Sequence, residues 1–193
     1  MNRKFTTKQI VGTGLLLALE IIFQIVGNYL QFGPVNINLS LVTIVLAAVL
    51  YGPLSGAILG FFNGIMALFA PATIALFMPL NPACTVIVCL LKTTLAGFLA
   101  GLLFKLFKNK NHLFGLILVS ALVPIVNTGL FSLFAILFFR PFLESGVNET
   151  FPNIGAFLIF GVIGWNFIFE IVTTIVVSTP TGIILLKRNQ EAN

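Results

Sequence analysis

Six apolar stretches make up most of this chain, and they limit its possible folds more than any motif does. Such a stretch must reach about 20 mostly apolar residues to cross a bilayer as a helix. Hydrophobic residues form 59% of the sequence and charged residues 8%, which leaves no room for a soluble domain of useful size. We therefore predict an all-α integral membrane protein with six transmembrane helices, folded as one domain over residues 1–193. The stretches cover residues 9–28, 39–51, 54–70, 83–107, 113–139 and 154–186.

The basic residues are unevenly shared between the two sides that six spans define. Eight of the ten Lys and Arg residues fall in the N-terminal segment, near the loop at 108–112, or in the C-terminal tail. Because Lys and Arg collect in cytoplasmic loops, both termini are predicted to be cytoplasmic. The first stretch lacks a small-residue cleavage site, so it is predicted to be a retained helix. Spans 39–51 and 54–70 are short, which predicts that they are tilted, kinked or shielded by neighbours.

The sequence lacks the common signatures of catalysis. It contains no Asp, and its one histidine, His112, lies beside lysines in a polar loop. There is no His-Glu-x-x-His zinc motif, no Gly-x-Ser-x-Gly elbow and no phosphate-binding glycine loop. We therefore predict that the chain is not an enzyme, requires no cofactor or metal, and cannot hydrolyse ATP to drive transport by itself.

Charged and amide side chains nevertheless occur inside the apolar stretches, where they are costly and usually face a cavity or a substrate path. Helical spacing puts Glu20, Gln24 and Asn28 on one face of span one. The helical rise of about 1.5 Å per residue places four of them, one on each of four spans, in one layer of the outer half of the bilayer. The loops above are rich in Pro and Asn, as expected of a lid over a pocket for a small polar molecule. The predicted substrate-binding residues are Glu20, Gln24, Asn28, Asn81, Lys92, Asn127, Asn166 and Glu170.

Two alternatives remain open for these polar residues and for the small residues in the spans. Lys92 could instead pair with Glu20 or Glu170 and hold helices in register. Glycines recur at four-residue spacing at 56, 60 and 64 and at 97 and 101, and Gly14 precedes Ala18 by four. Such spacing lets helices approach closely, either inside the bundle or against another membrane protein.

Several longer segments resemble a known family, the substrate-binding S components of energy-coupling factor (ECF) vitamin transporters. The resemblance extends over nearly the whole chain in the same order of segments. The segments are LVTIVLAAVLYGPLSGAILG at 41–60, CLLKTTLAGFLAG at 89–101, PIVNTGLF at 124–131 and NFIFE at 166–170.

The resemblance implies a mechanism and a set of partners. Such a component binds a vitamin tightly from outside the bacterial cell membrane. It then docks on a transmembrane coupling subunit that carries two cytoplasmic ATPases. Docking in the family uses an Ala-x-x-x-Ala motif in the first helix. The matching positions here are Gly14 and Ala18, so the glycine departs from the motif but keeps its small size.

The resemblance also narrows the vitamin to pantothenate-type or cobalamin-type members, with pantothenate favoured. Lys92 and Arg140 are the cations that could receive a carboxylate. The alternatives are another vitamin, a self-sufficient facilitator, or a non-transporting membrane scaffold of the cell-shape machinery. Neither nucleic acid nor a metal ion is expected as a ligand.

Overall fold

The computed structural model describes residues 6–29, 37–107 and 111–191, and nearly all of this part of the chain is helical. Two π-helical segments, Thr73–Phe77 and Phe157–Ile163, precede the fourth and the last helix. The prediction of an all-α protein is confirmed for the described residues. The helices are α1 (Thr7–Asn28), α2 (Leu41–Tyr51), α3 (Pro53–Leu68), α4 (Pro82–Phe107), α5 (His112–Phe138), α6 (Arg140–Ser145), α7 (Ile154–Ala156) and α8 (Gly164–Glu191).

Four helical stretches are long and apolar enough to cross a membrane: α1, α4, α5 and the continuous run 154–188. Helices α2 and α3 lie where two further spans were predicted, but they are shorter. With 11 residues, α2 is about 16 Å long, against about 30 Å for the hydrocarbon core. Every residue of α2 from Leu41 to Val49 is buried, so this short helix is shielded by its neighbours. Shielding was one of the three alternatives predicted for the short spans.

Helices α3 and α4 pack with their backbones in close contact. A Cβ atom added to Gly56 would stand 2.5 Å from the carbonyl oxygen of Gly97, and one added to Gly60 or Gly64 would collide with the α4 backbone. Thr93 Oγ1 donates a 2.6 Å hydrogen bond to the Gly60 carbonyl oxygen across the same contact. The glycine ridges of these two helices therefore serve internal packing.

The loop predicted at residues 140–153 is partly wrong, because its first part forms α6. Pro141 lies in the first turn of α6, where proline favours helix initiation. Phe142 and Leu143 are buried in a cluster of apolar side chains with Phe77 and Phe139. Burial of these side chains fixes the segment as a helix. Likewise, the proline-rich segment before α4 contains the π-helical turn Thr73–Phe77.

Some features of the predicted topology fall outside the described residues. They include most of the loop at 31–38 and the basic residues Arg3, Lys4, Lys108 and Lys110.

Candidate functional site

Two adjoining clefts open at the end of the bundle that is remote from both termini. They lie where α1, α3 and α5 end and where α2, α4 and α8 begin. Counted with their open mouths, they have empty volumes of about 640 Å³ and about 430 Å³. We name them the α1-side cleft and the α8-side cleft, because α1 lines only the first and α8 lines only the second. Asn38, Lys92 and Phe131 line both clefts and form the boundary between them.

The α1-side cleft combines apolar walls with a few amides. Gln24 and Asn28 reach it from the last turns of α1. Phe77, Phe131 and Phe139 supply aromatic surface, and the Phe77 ring lies edge-on to the other two. Besides the three shared residues, the described lining residues are Gln24, Asn28, Ile37, Ala67, Ala70, Ala72, Thr73, Phe77, Thr85, Val88, Cys89 and Phe139.

The α8-side cleft is richer in polar groups. Asn127 and Thr128 come from α5, and Asn166 and Glu170 come from one face of α8. Glu170 Oε1 accepts a 2.9 Å hydrogen bond from the Asn38 backbone N–H, and Glu170 Oε2 accepts one from Thr128 Oγ1 at 3.5 Å. The Oδ1 atom of Asn127 is buried and has no hydrogen-bond partner among the described residues.

Lys92 is the cation at the boundary between the clefts. Its Nζ lies 5.6 Å from the centroid of the Phe131 ring, within the range of a cation–π contact. Among the described side chains, the ion pair that forms is Arg140 with Glu144, and Lys92 pairs with neither Glu20 nor Glu170. Lys92 nevertheless lies near enough to Glu170 for an electrostatic interaction. Arg140 is exposed and lines neither cleft.

A buried hydrogen-bond network lies next to the α1-side cleft. Ser40 Oγ donates to Gln24 Oε1 at 2.9 Å, and Asn63 Nδ2 donates to Ser40 Oγ and to Gln24 Oε1. Asn38 Nδ2 donates to Asn63 Oδ1 at 3.0 Å. The network joins α1, α3 and the segment before α2, so it positions two lining residues, Gln24 and Asn38.

Glu20 lies one turn below Gln24 on α1 and is fully buried, but it lines neither cleft. Its Oε2 accepts a 3.4 Å hydrogen bond from Thr43 Oγ1, and its Oε1 has no partner among the described residues. Asn81 also stands apart from the clefts. Its Oδ1 accepts a 3.1 Å hydrogen bond from the Cys84 backbone N–H, which is the geometry of a helix N-cap for α4.

The structure thus brings six of the eight predicted site residues to the clefts and leaves Glu20 and Asn81 outside them. The sequence pattern did not single out Asn38, Asn63 or the four phenylalanines that line the clefts, Phe77, Phe131, Phe139 and Phe167. Asn63 carried a signal, because it is the one amide in the apolar helix α3, between Gly60 and Gly64. The phenylalanines carried none, because 21 Phe residues are spread along the chain.

Gly14 and Ala18 lie on an exposed face of α1. A Cβ atom added to Gly14 would meet nothing within 4 Å. Helix α1 buries only Thr13, Glu20, Gln24 and Gly27 against the rest of the described bundle. The opposite face therefore makes little contact with the rest of the chain that the structure describes.

Comparisons with known proteins identify the family. Residues 8–179 match the family described as "ECF transporter, substrate-specific component". The chain is also similar to "Pantothenate transporter PanT" of Leuconostoc mesenteroides, with 28% identity over 200 residues that cover 96% of each protein. No solved structure matches the chain at a significant level. The chain therefore belongs to the substrate-specific components of ECF transporters, which are multi-pass proteins of the cell membrane that bind a vitamin for uptake and are not enzymes.

Proposed function

We propose that this chain captures pantothenate outside the cell with high affinity and delivers it to an ATP-driven ECF module. The observation that carries the proposal is Lys92, a cation without an ion pair among the described residues, at the boundary of two clefts with amide and aromatic walls. A half-buried cation that no carboxylate of the described residues contacts at ion-pair distance is a natural receptor for a ligand carboxylate.

The chemistry of pantothenate supports this choice of vitamin. Pantothenate has a carboxylate, a central amide, two hydroxyl groups and a pair of methyl groups on one carbon. Lys92 suits the carboxylate, amides such as Gln24 and Asn166 suit the polar groups, and Phe131, which lines both clefts, suits the methyl groups. The similarity to the Leuconostoc pantothenate transporter favours the same ligand. Cobalamin is several times larger than pantothenate and suits clefts of this size poorly.

The six site residues of this proposal are Gln24, Asn28, Lys92, Asn127, Asn166 and Glu170. Asn38 is added to them because it lines both clefts and bonds Glu170. Glu20 is proposed to support the site from below, through its place one turn from Gln24. Asn81 is proposed to act only as the cap of α4.

We propose a topology of six spans with both termini in the cytoplasm and with residues 1–193 as one unit. Because the clefts open at the end remote from the termini, this orientation directs them to the outside. The short helix α2 then spans only part of the bilayer and is covered by the helices around it. The proposed partners are a transmembrane coupling subunit, which meets Gly14 and Ala18, and two cytoplasmic ATPases.

A binding titration tests the ligand. The purified chain in lipid nanodiscs is titrated with pantothenate, and cobalamin and thiamine are tested as competitors. We expect saturable pantothenate binding that neither competitor displaces. Binding of another vitamin with higher affinity would overturn the choice of ligand.

A transport assay tests the dependence on partners. The chain is reconstituted into liposomes alone, and then with the coupling subunit and the ATPases. We expect pantothenate to accumulate only with the complete module and ATP. Accumulation against a gradient by the isolated chain would instead support a self-sufficient transporter.

A further inference from the structure

We propose that bound pantothenate has one orientation, with its carboxylate beside Lys92 in the α1-side cleft and its hydroxyl groups in the α8-side cleft. This inference rests on the proposed function and deepens it. Lys92 attracts an anion from either side, so the orientation must be set by the other groups that line the two clefts.

The α1-side cleft offers an anion no repulsion. Lys92 is the one charged side chain among its described lining residues. Residues 30–36, which the structure does not describe, include no Asp or Glu in the sequence. Gln24 and Asn28 can turn amide N–H groups toward a carboxylate, which accepts hydrogen bonds but donates none.

The α8-side cleft has the opposite character, because it offers hydrogen-bond acceptors. Glu170 lines it and receives hydrogen bonds from Asn38 and Thr128 on one side. The Oδ1 atom of Asn127 is buried with no partner among the described residues, and a buried acceptor left unsatisfied is destabilising. A ligand hydroxyl can donate a hydrogen bond to either group.

The reversed orientation would bring like charges together. A ligand carboxylate in the α8-side cleft would face Glu170 and could not donate a hydrogen bond to Asn127 Oδ1. Juxtaposed like charges cost several kcal/mol when they are shielded from water. The hydroxyl groups would at the same time lose their best acceptors. Glu170 and Asn127 therefore act as specificity-determining residues for the uncharged end of the ligand.

Two isosteric substitutions test the orientation. Asn28→Asp adds a negative charge to the α1-side cleft, and Asn127→Asp adds one to the α8-side cleft while keeping an acceptor. Each variant in nanodiscs is titrated with pantothenate and with its alcohol analogue, in which CH2OH replaces the carboxylate. A thermal melt of each variant checks that it remains folded.

We expect Asn28→Asp to lower the preference for pantothenate over the alcohol by about tenfold or more, because its charge faces the carboxylate. Asn127→Asp should change this preference by less than about threefold, because its charge faces hydroxyl groups. The opposite pattern, or equal effects of the two variants, would overturn the orientation and leave pantothenate as the ligand. Failure of the wild-type chain to bind pantothenate would remove the proposed function, and the orientation with it.

A second ligand keeps the test decisive if one Asp variant unfolds. Pantothenate that lacks its terminal hydroxyl should bind the wild-type chain more weakly than pantothenate does. Asn127→Leu should abolish this difference and retain the preference for pantothenate over the alcohol. The orientation would be contradicted if Asn127→Leu lost its preference for pantothenate over the alcohol but still bound pantothenate more tightly than the form that lacks the terminal hydroxyl.

Discussion

A polar atom inside a membrane bundle must find its partner in the protein, because hydrocarbon offers none. Gln24, Ser40 and Asn63 meet this requirement by hydrogen-bonding one another. Lys92 meets it only in part, through the ring of Phe131. Lys92 is therefore more available to a ligand than the side chains of this network are.

Lys92→Met is expected to weaken pantothenate binding by about two orders of magnitude, because the variant leaves the ligand carboxylate in the cleft without its cation. Titration of the folded variant in nanodiscs measures the loss. Lys105→Met is the matched control, since Lys105 lies exposed in the last turn of the same helix. Unchanged affinity in a folded Lys92→Met protein would remove Lys92 from the site, and with it the main argument for an anionic vitamin.

Glu20→Gln is expected to change both the melting temperature and pantothenate affinity only slightly. The amide keeps the size of the side chain and an acceptor for Thr43 Oγ1. Glu20→Ala should lower the melting temperature clearly, because it leaves a cavity where a fully buried side chain stood. If Glu20→Gln instead abolished binding in a folded protein, Glu20 would belong to the ligand site, as the sequence pattern suggested.

At the scale of helices, the sequence predicts where each helix lies along the chain better than it predicts which face of that helix meets its neighbours. Apolar runs predicted the four long apolar helical stretches and the two shorter helices α2 and α3 within a few residues, because a span must be continuous in sequence. The helix α6 was missed, since it forms through burial of Phe142 and Leu143 against residues distant in the chain. The two clefts were only partly predictable for the same reason. The depth estimated from the helical rise placed Glu20 at the level of Lys92. Which side chains of α1 reach the clefts depends instead on how α1 is rotated about its axis against its neighbours.

Gly60→Ala is expected to destabilise the bundle, because the new methyl group would collide with the Thr93 carbonyl on α4. Overpacking of this kind costs about 1–3 kcal/mol. Gly129→Ala is the matched control on α5, since a Cβ atom there meets nothing within 4 Å and Ala favours a helix over Gly by about 1 kcal/mol. Thermal melts compare the two variants. If Gly60→Ala melted at the same temperature as Gly129→Ala or higher, the α3–α4 contact would accommodate the added methyl group without loss of stability.

For the molecule as a whole, orientation in the membrane decides whether the clefts collect substrate from outside. Single cysteines are introduced at Asn148, near the cleft end, and at Lys187, near the C-terminus, after Cys84 and Cys89 have been replaced by Ala. Because the positive-inside rule puts the termini in the cytoplasm, a membrane-impermeant maleimide should label Asn148→Cys in intact cells. Lys187→Cys should react only after lysis. The reverse labelling pattern would invert the proposed topology.

The exposed face of α1 gives the last prediction at this scale. Gly14 and Ala18 are exposed, and the interior of the chain makes no use of their small size. Close approach of another helix requires small residues, so Gly14→Trp or Ala18→Trp should block docking on the coupling subunit. Pantothenate affinity should remain within about twofold of wild type, because both residues lie more than one helical turn below Gln24, the α1 lining residue nearest to them.

Co-purification with the ECF module measures docking, and ATP-dependent uptake in liposomes measures its consequence. Val176→Trp on α8 is the control, because it places the same indole side chain on another exposed apolar face. We expect the control to dock and transport normally, whereas both α1 variants bind pantothenate but neither dock nor transport. Uptake at the wild-type rate by Gly14→Trp and Ala18→Trp would place the docking surface elsewhere. It would leave the small residues of α1 facing lipid, with the ligand site unaffected.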